Sequence, residues 1–323
     1  MADNTTSRSI ISAEVDVVYQ RTLLLRAVSN FVYTKWAQVR DIAKGSGTNQ
    51  VRFRRYGNLT AATTALTEGV TPVGSQLSIT NITASTSQYG DYVTITDKVD
   101  METQDPIMTE TSEILGDQAA DTFDQLTRDV LVAGTSVFYA NGVGGRGSVA
   151  ANVALADYRK IARALRKNNA RKVTKIISAT DGVGTTPVKA AYVVVISPDT
   201  HYDLKGLSGF IPVSQYPQNT ALVDPNEVGS LDEFRFVETP NAKVFSGAGS
   251  GSVDVHADVV LGQDAYGVTR LSGESLRMIF KPLGSAGSAD PLDQRQTMGW
   301  KATFVAYRLN ESFMYRYEHA VTA

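Results

Sequence analysis

The segment from Asp105 to Gly134 carries one apolar stripe on an otherwise polar surface, a pattern that predicts a single long amphipathic helix. Asp105 and Pro106 suit its first positions, and Gly134 suits its end. Because acidic and amide side chains cover the remaining surface, we expect one face to pack and the other to meet solvent or a neighbour. The residues of the stripe, at steps of three, four or seven, are Ile107, Ile114, Leu115, Phe123, Leu126 and Val130.

Before this helix the apolar residues recur at every second position, which predicts β-strands. Val51 and Phe53 alternate with Arg52 and Arg54, and residues 59–100 are rich in Thr, Ser, Gly and β-branched side chains. A long, thin hairpin with so few large apolar side chains cannot form its own core. We therefore expect this hairpin to lie on another copy of the chain.

The N-terminal part of the chain combines a polar segment with a helical pattern. Residues 1–12 are polar and predict an arm, whereas the apolar positions within 13–38 have helical spacing. Two interpretations remain open for this predicted helix: it packs on the main body, or it docks on a neighbouring subunit.

After the long helix, helical and strand patterns alternate without a regular βαβ order, which favours a mixed α+β lobe. Helices are predicted over 154–169 and just after Pro198, with a buried central strand at 190–196 between them. Residues 208–230 contain three prolines and are predicted to be a loop. The other predicted strands are 77–82, 92–99, 172–178, 234–237, 253–261, 276–282, 299–309 and 312–318.

Composition narrows the possible classes of protein. The 323 residues are enough for about two domains, and a hydrophobic fraction of 42% supports a substantial core. The net charge of −2 argues against a dedicated nucleic-acid binder, and the absence of cysteine excludes disulfides, thiolate metal sites and cysteine nucleophiles. We see neither a signal peptide nor a membrane-spanning segment, so we expect a soluble protein made inside the cell.

Glycine and aspartate motifs give weak signals of chemistry. Gly142, Gly144 and Gly147 spell GxGxxG, but they follow a helix rather than a strand, so we interpret them as a connector. Asp290 and Asp293 could hold a divalent cation, although a turn around the intervening proline is the simpler interpretation.

The three histidines belong to no zinc-binding motif. His201 lies beside Asp199 and Asp203, which would suit a general base, but a short polar helix explains the same pattern. His256 and His319 are isolated in the sequence. We therefore predict no catalytic residues, no cofactor and no metal, and conclude that the chain is not an enzyme.

The basic cluster of Arg52, Arg54 and Arg55 is the most distinct charge feature. Arg52 and Arg54 share one face of the predicted strand. The cluster could be a solvated face, could pair with acidic groups of a neighbouring copy, or could contact phosphate.

Six strings, in their order along the chain, resemble a known family. They are VRFRRYGNL (51–59), ALTEGVTP (65–72), QYGDYVTITD (88–97), NEVGSLDEFRFVETP (226–240), VLGQDAYG (260–267) and DPLDQRQTMGWK (290–301). With the succession of arm, hairpin, long helix, α+β lobe and β-rich end, the chain resembles the N-four-type major capsid proteins of tailed double-stranded DNA bacteriophages. That family has the Johnson fold, which herpesvirus capsids and encapsulins share.

The resemblance implies an α+β fold with a definite division of the chain. Residues 1–49 would be an N-terminal arm and helix, and residues 50–103 an extended β-hairpin loop over the adjacent subunit. Residues 104–150 and 281–323 would form a peripheral domain with the spine helix 105–134, and residues 151–280 an axial domain. The residues that we predict to contact a neighbouring subunit are Arg52, Arg54, Arg55, Glu68, Tyr89 and Tyr92.

The resemblance also implies a structural function in the virion. Pentamers and hexamers of the chain would close an icosahedral shell around packaged double-stranded DNA, with non-specific DNA contact and no membrane. Scaffold, portal and cement proteins would be further partners, and assembly would take place in the host bacterial cytoplasm.

Two alternatives remain at the level of the sequence. An encapsulin-like compartment would keep the fold but enclose an enzyme cargo instead of DNA. An enzyme or carbohydrate-binding module built on the β regions would instead be a monomer or small oligomer with a ligand pocket.

Overall fold

The computed structural model describes residues 31–41, 50–57, 59–102, 107–178, 187–217, 222–270, 276–287 and 290–322. The α-helices of these residues are α1 (Asp97–Glu102), α2 (Ile107–Val132), α3 (Leu155–Lys167) and α4 (Pro198–Lys205). Their strands are β1 (Gln38–Arg40), β2 (Gln50–Tyr56), β3 (Ile79–Ser85), β4 (Ser87–Thr96), β5 (Val137–Tyr139), β6 (Tyr192–Ile196), β7 (Phe210–Pro212), β8 (Glu227–Leu231), β9 (Phe234–Glu238), β10 (Lys243–Phe245), β11 (Val255–Leu261), β12 (Tyr266–Thr269), β13 (Leu276–Lys281), β14 (Arg295–Phe304), β15 (Ala306–Arg308) and β16 (Met314–His319).

A large mixed sheet separates two apolar clusters. Its strand order is β5-β16-β11-β6-β9-β8-β7, with β10 paired to β11. The central strand β6 is buried throughout, as its continuous apolar sequence predicts. Side chains alternate across a strand, so Val193 and Val195 join the cluster that contains Phe123 of α2, whereas Val194 and Ile196 join the cluster around Tyr158 of α3.

A second sheet, in the order β13-β14-β4, packs on the long helix α2. The middle strand β14 pairs with β4 over ten positions, from Arg295 opposite Thr96 to Phe304 opposite Ser87. Phe123 of α2 lies 5.4 Å from the ring of Trp300 and 5.0 Å from that of Phe304. These aromatic contacts fix the helix to the face of the sheet.

The extended part of the chain is the antiparallel pair β2–β3, whose seven paired positions run from Gln50–Ser85 to Tyr56–Ile79. The connection over 57–78 forms no helix or strand among its described residues. A third small sheet, β1-β12-β15, lies beside the root of this pair. There Phe53 packs directly on Gly267 of β12, and a side chain at Gly267 would collide with the Phe53 ring.

Helix α2 confirms the predicted long amphipathic helix, with one error in its packed face. Leu115 and Phe123 are buried, but Ile114 is 66% exposed. The other buried residues of the helix are Thr111, Ser112, Gly116, Ala119, Ala120, Asp124, Thr127, Leu131 and Val132. Small and polar residues therefore form much of that face, and this moves its centre away from Ile114. The capping residues predicted at 105 and 106 lie outside the described residues.

The predicted helix over 13–38 is wrong in its described part. Residues 32–37 form turns and a bend that lead into β1. The backbone N–H groups of Val32 and Tyr33 donate to the side chain of Asp124, which holds these turns on α2. The remaining part of that predicted helix lies outside the described residues.

Several strand predictions also need correction. The segment 172–178 forms only an isolated bridge between Ile177 and Val188. The N–H groups of Val173 and Thr174 both donate to the carbonyl of Ala191, which ties the segment to the start of β6 without a ladder of strand pairs. The predicted loop 208–230 contains β7 and most of β8, which pair with each other although β7 ends in Pro212. The predicted strand 299–309 is interrupted at Val305, between β14 and β15, and the predicted strand 92–99 ends at Thr96.

Sheet membership differs from the predicted domain boundaries at three strands. β5 and β16 come from the segments predicted as peripheral, but both belong to the large sheet. β16 pairs with β11 over six positions, from His319 opposite His256 to Met314 opposite Leu261. β13 comes from the predicted axial segment, but it pairs with β14 in the smaller sheet. The division into two shell domains itself remains a prediction.

Candidate assembly interface

The connection between β2 and β3 exposes an unusual number of apolar side chains. They are Leu59, Leu66, Val70, Val73 and Leu77, each more than half exposed. Val73 is fully exposed, at 100% of its accessible surface. A contiguous exposed apolar segment of this kind is typical of a surface that another molecule covers.

The strand β2 has an apolar face and a basic face. Val51 and Phe53 are buried with Leu309 in a small cluster, whereas Arg52 and Arg54 point away from it and are exposed. The alternation predicted from the sequence is therefore confirmed. The apolar face packs the β2–β3 pair against its own subunit, and the basic face is exposed and available to a partner.

Arg55 lies at the end of this strand in a different setting. It lines a polar cavity of about 530 Å³ together with Arg171, Asn168 and Asn310. The structure therefore does not unite the three predicted arginines: Arg52 and Arg54 share a strand face, and Arg55 belongs to the cavity at the root of the segment.

The other predicted interface residues lie in three different places. Glu68 is exposed beside Gly69, whose positive φ of 77° makes the turn of the connection. Tyr89 is half-buried against the main core, while Tyr92 is 68% exposed on the opposite face of β4. Residues three apart on a strand point to opposite faces, yet both tyrosines line one groove on the sheet that contains β4.

The exposed face of the sheet β13-β14-β4 contains a groove of about 550 Å³ that the sequence analysis missed. Gly299 forms its floor, between Tyr92 of β4 and Ile279 of β13. A Cβ atom at Gly299 would lie 2.6 Å from the Cβ of Tyr92, so only glycine fits there. Lys281 and Lys301 line the groove and are exposed, which gives an apolar floor with basic edges.

A hydrogen-bond chain locks the strands of this groove to helix α2. Trp300 Nε1 donates to Gln118 Oε1 at 3.1 Å, and Gln118 Nε2 donates to Asp91 Oδ2 at 2.6 Å. The Gln118 side chain, followed by the backbone N–H of Tyr92, lowers the pKa of Asp91 below its ordinary value. The groove is therefore a rigid surface, because helix and sheet hold its floor from behind.

The exposed face of α2 is acidic. Glu110 and Asp121 are exposed, and Glu113 and Asp117 are half-buried between them. This face carries the charge opposite to that of the Arg52 and Arg54 face of β2. The surface therefore offers two complementary pairs: basic strand with acidic helix, and apolar connection with apolar groove.

The residues considered for catalysis or metal binding have structural partners. His201 Nδ1 lies 2.6 Å from Glu238 Oε2, not beside a catalytic group. Asp290 Oδ2 accepts the backbone N–H of Arg295 at 2.9 Å, as expected of a turn. Within the described ranges, no three His, Asp or Glu side chains are grouped as a metal site would require.

None of the helices in the part of the chain that the structure describes has the length and hydrophobicity of a bilayer-spanning segment.

Comparison with known proteins gives a consistent result. The model of the family described as phage capsid protein matches residues 80–317, which is more than half of the 323 residues. A comparison with curated proteins found no match.

Solved capsid structures share the fold at low sequence identity. The capsid of Ralstonia phage GP4 is 12% identical with a TM-score of 0.67, and the match covers 92% of this chain and 91% of that one. The head of Helicobacter pylori bacteriophage KHP40 is 13% identical with a TM-score of 0.60, covering 90% and 88%. The capsid of the cyanophage P-SCSP1u is 14% identical with a TM-score of 0.60, covering 90% and 89%.

These similarities confirm the predicted α+β capsid fold, and nothing in them favours an encapsulin. Together with the family match, they also confirm that the chain has a structural role and is not an enzyme. The chain belongs to the phage capsid protein family and is a structural major capsid protein of the tailed-phage type, a component of the virion.

Proposed function

We propose that copies of this chain assemble, as pentamers and hexamers, into a closed icosahedral shell that encloses packaged double-stranded DNA. The observation that carries the proposal is the connection 57–78, which exposes its apolar side chains and contributes little to the core of its own subunit. Burial on a neighbouring copy would supply the hydrophobic stabilisation that the segment lacks, at about 25 cal/mol for each Å² of apolar surface covered.

The charges of the described surface support a specific mode of contact. In this proposal the Arg52 and Arg54 face of one copy lies along the acidic face of α2 in the next. The tip of the connection would occupy the groove, where Glu68 would meet Lys281 or Lys301. Glu68 is the only charged residue in the sequence from 57 to 78, so its partner would determine the register of the contact.

The two predicted shell domains enter the proposal in a revised form. The sheet β13-β14-β4 with α2 would be the peripheral domain, and the large sheet with α3 and α4 would be the axial domain around the symmetry axes. In this form β13 would belong to the peripheral domain, and β5 and β16 to the axial domain, so the chain would pass between the two domains more than once.

Further partners follow from the same function. Scaffold, portal and cement proteins would bind during or after assembly in the host bacterial cytoplasm. The near-neutral charge of −2 supports only weak, non-specific contact with packaged DNA.

Deletion of the connection tests the proposal directly. A variant lacking 61–76, joined by a short Gly-Ser turn, keeps β2, β3 and β4, and should therefore fold but fail to close stable shells. Electron microscopy and light scattering of purified chain, with scaffold protein added if needed, measure the outcome. Shells formed by the variant as readily as by the wild type would overturn the proposed role of the connection.

The contents of purified particles distinguish the proposal from a cargo compartment. Particles from infected cells should contain double-stranded DNA that is protected from added nuclease. This DNA is detected as absorbance at 260 nm that remains after nuclease treatment. Particles filled with one host enzyme, and without DNA, would instead support the encapsulin-like function.

A further inference from the structure

Two histidines that are far apart in the sequence lie side by side in the interior. His256 of β11 and His319 of β16 occupy directly opposite positions on neighbouring strands. Their rings are stacked, with centroids 6.3 Å apart and planes inclined by 23°. Both are buried, with 4% and 0% of their surface exposed. We call them the histidine pair.

The contacts of His319 require hydrogens on both ring nitrogens. Nδ1 lies 2.7 Å from the carbonyl oxygen of Ala320, which can only accept. Nε2 lies 3.0 Å from Oδ2 of the buried Asp258, a carboxylate that also accepts the hydroxyl of Tyr158 at 2.9 Å. With Asp258 ionised, a ring that donates from both nitrogens is an imidazolium, and we assign the positive charge to His319 on this basis.

The contacts of His256 suit a neutral ring. Its Nδ1 lies 2.9 Å from the hydroxyl of Ser197, which accepts the backbone N–H of Thr200 at the start of α4 and lies 3.0 Å from Thr200 Oγ1. In the neutral ring, Ser197 donates to Nδ1, and the ring proton is on Nε2, 4.0 Å from Asp199 Oδ2. A proton on Nδ1 would reverse this hydrogen bond and would place a second positive charge against His319.

The surroundings of the histidine pair lower the pKa of His256 and raise the pKa of His319. Burial, and then the charge of His319, lower the pKa of His256. Burial alone would lower the pKa of His319 as well, but Asp258 and the Ala320 carbonyl raise it above the ordinary value. The charged and titratable groups that face the pair are Asp258 of β11, Asp254 before it, Asp199 and Asp203 of α4, Tyr158 of α3, and Tyr317 of β16.

We propose that the histidine pair is a proton-controlled clamp that holds the C-terminal strand on the large sheet when it carries a single positive charge. The clamp joins β16 to α3 and α4, and the residues after β16 depend on it. Ala320 N–H donates to the carbonyl of Ala151 at 2.9 Å, and Thr322 N–H donates to Asp203 at 3.0 Å. A second proton in acid, or loss of the first in alkali, weakens this attachment.

The sign of each effect follows from linkage. His319, whose pKa is raised on folding, stabilises the native state at lower pH, and this contribution is lost as the pH rises through its folded pKa. The pKa of His256 is lowered on folding. This residue therefore does not reduce the free energy of unfolding above the ordinary pKa of histidine, but it does so as the pH falls below that ordinary pKa. The clamp is therefore strongest near neutral pH and weaker on both sides.

Nitrogen NMR of the full chain labelled with ¹⁵N-histidine tests the charge states, in solution or by magic-angle spinning if the chain assembles. Single substitutions assign the three histidines. His319 should remain an imidazolium at pH 7.5, while His256 should remain neutral at pH 6.0. A neutral His319 at pH 7.5, which would mean that Asp258 holds the proton, or two rings that titrate together near pH 6.5, would overturn the proposal.

Hydrogen exchange tests the consequence for the C-terminal strand. Corrected for intrinsic rates, exchange in 314–322 should be faster at pH 5 than at pH 7, because protonation of His256 below its ordinary pKa weakens the clamp. The variant H256N keeps an acceptor at the position of Nδ1 but cannot be protonated, so it should lose this acid effect. The control H201N removes a histidine outside the pair and should retain the effect. Equal pH responses of H256N and H201N would contradict the clamp, as would acceleration spread over the whole chain.

Discussion

At the scale of single residues, the buried carboxyl group of Asp124 joins the N-terminal segment to the spine helix. Its Oδ1 accepts the backbone N–H groups of Val32 and Tyr33 at 3.0 and 2.8 Å. Its Oδ2 is buried and has no hydrogen-bond partner within the described residues. Tyr266 extends the link by donating its hydroxyl to the carbonyl of Tyr33. Burial raises the pKa of Asp124 to about 6, although the two backbone hydrogen bonds act in the other direction.

This raised pKa makes a prediction about stability. The native state takes up a proton at Asp124 near pH 6, whereas the unfolded chain takes it up only near the ordinary value of 3.8. Relative to D124N, the wild type should therefore gain on the order of 2 kcal/mol of unfolding free energy between pH 7.5 and pH 4. Urea denaturation at both pH values measures this difference. A constant difference would contradict the assigned pKa, and D100N, which removes an exposed carboxyl group on α1, serves as the control.

At the scale of elements, helix α2 owes its place to a buried face that combines large, small and polar residues. Phe123 lies against Trp300 and Phe304, while Ala119 and Ala120 let the sheet and helix approach each other closely. Ile114 points away from this face. Hydrophobicity alone therefore identified the helix, but it did not identify the face correctly at every position.

Two substitutions in the same helix test this orientation. F123A should cost about 3–5 kcal/mol of unfolding free energy, because it empties a fully buried aromatic site. I114A should cost less than about 0.5 kcal/mol in the isolated subunit, because the side chain is 66% exposed there. Chemical denaturation of unassembled chain measures both values. Similar losses for the two variants would mean that the packed face is assigned wrongly.

The elements that the sequence predicted well are those with a strong, local pattern. The continuous apolar run of β6 and the helical spacing of α2 and α3 are patterns among residues that are close in the sequence. Their periodicity was therefore enough to predict these elements. The strands β7 and β12 are short, and their stability comes from distant partners, so nothing local indicated them. The proximity of His256 and His319 likewise follows from the pairing of β11 with β16, which no spacing in the sequence reveals. The groove had a weak signal, since Gly90 and Gly299 are isolated glycines inside strands.

At the scale of the whole molecule, the surface has complementary charges on separate elements: Arg52 and Arg54 on β2, and Glu110 and Asp121 on α2. In a symmetric shell, each copy would offer both members to its neighbours, so one modest contact would be repeated around every ring.

Charge reversal tests this complementarity. R52E/R54E should fold normally but reduce the yield of closed particles at least tenfold, because the reversed strand would repel the acidic helix face. Adding E110R and D121R to the same chain should restore part of the yield, as counted by electron microscopy. R163E/K167E, which changes the charge equally on the exposed side of α3, is the matched control. The contact is assigned wrongly if the control reduces the yield as much, or if the fourfold variant gains nothing.

The pairing of β4 with β14 has a consequence for the order of events during synthesis. β4 leaves the ribosome early, but its partner strand lies about 200 residues later in the chain. Until β14 has been made, the groove has no floor and α2 has no sheet on which to pack. In the proposed assembly, an incomplete chain could present the extended connection but could not receive one. Unfinished chains would then be unable to accept a neighbour, and growth of a shell would wait for complete subunits.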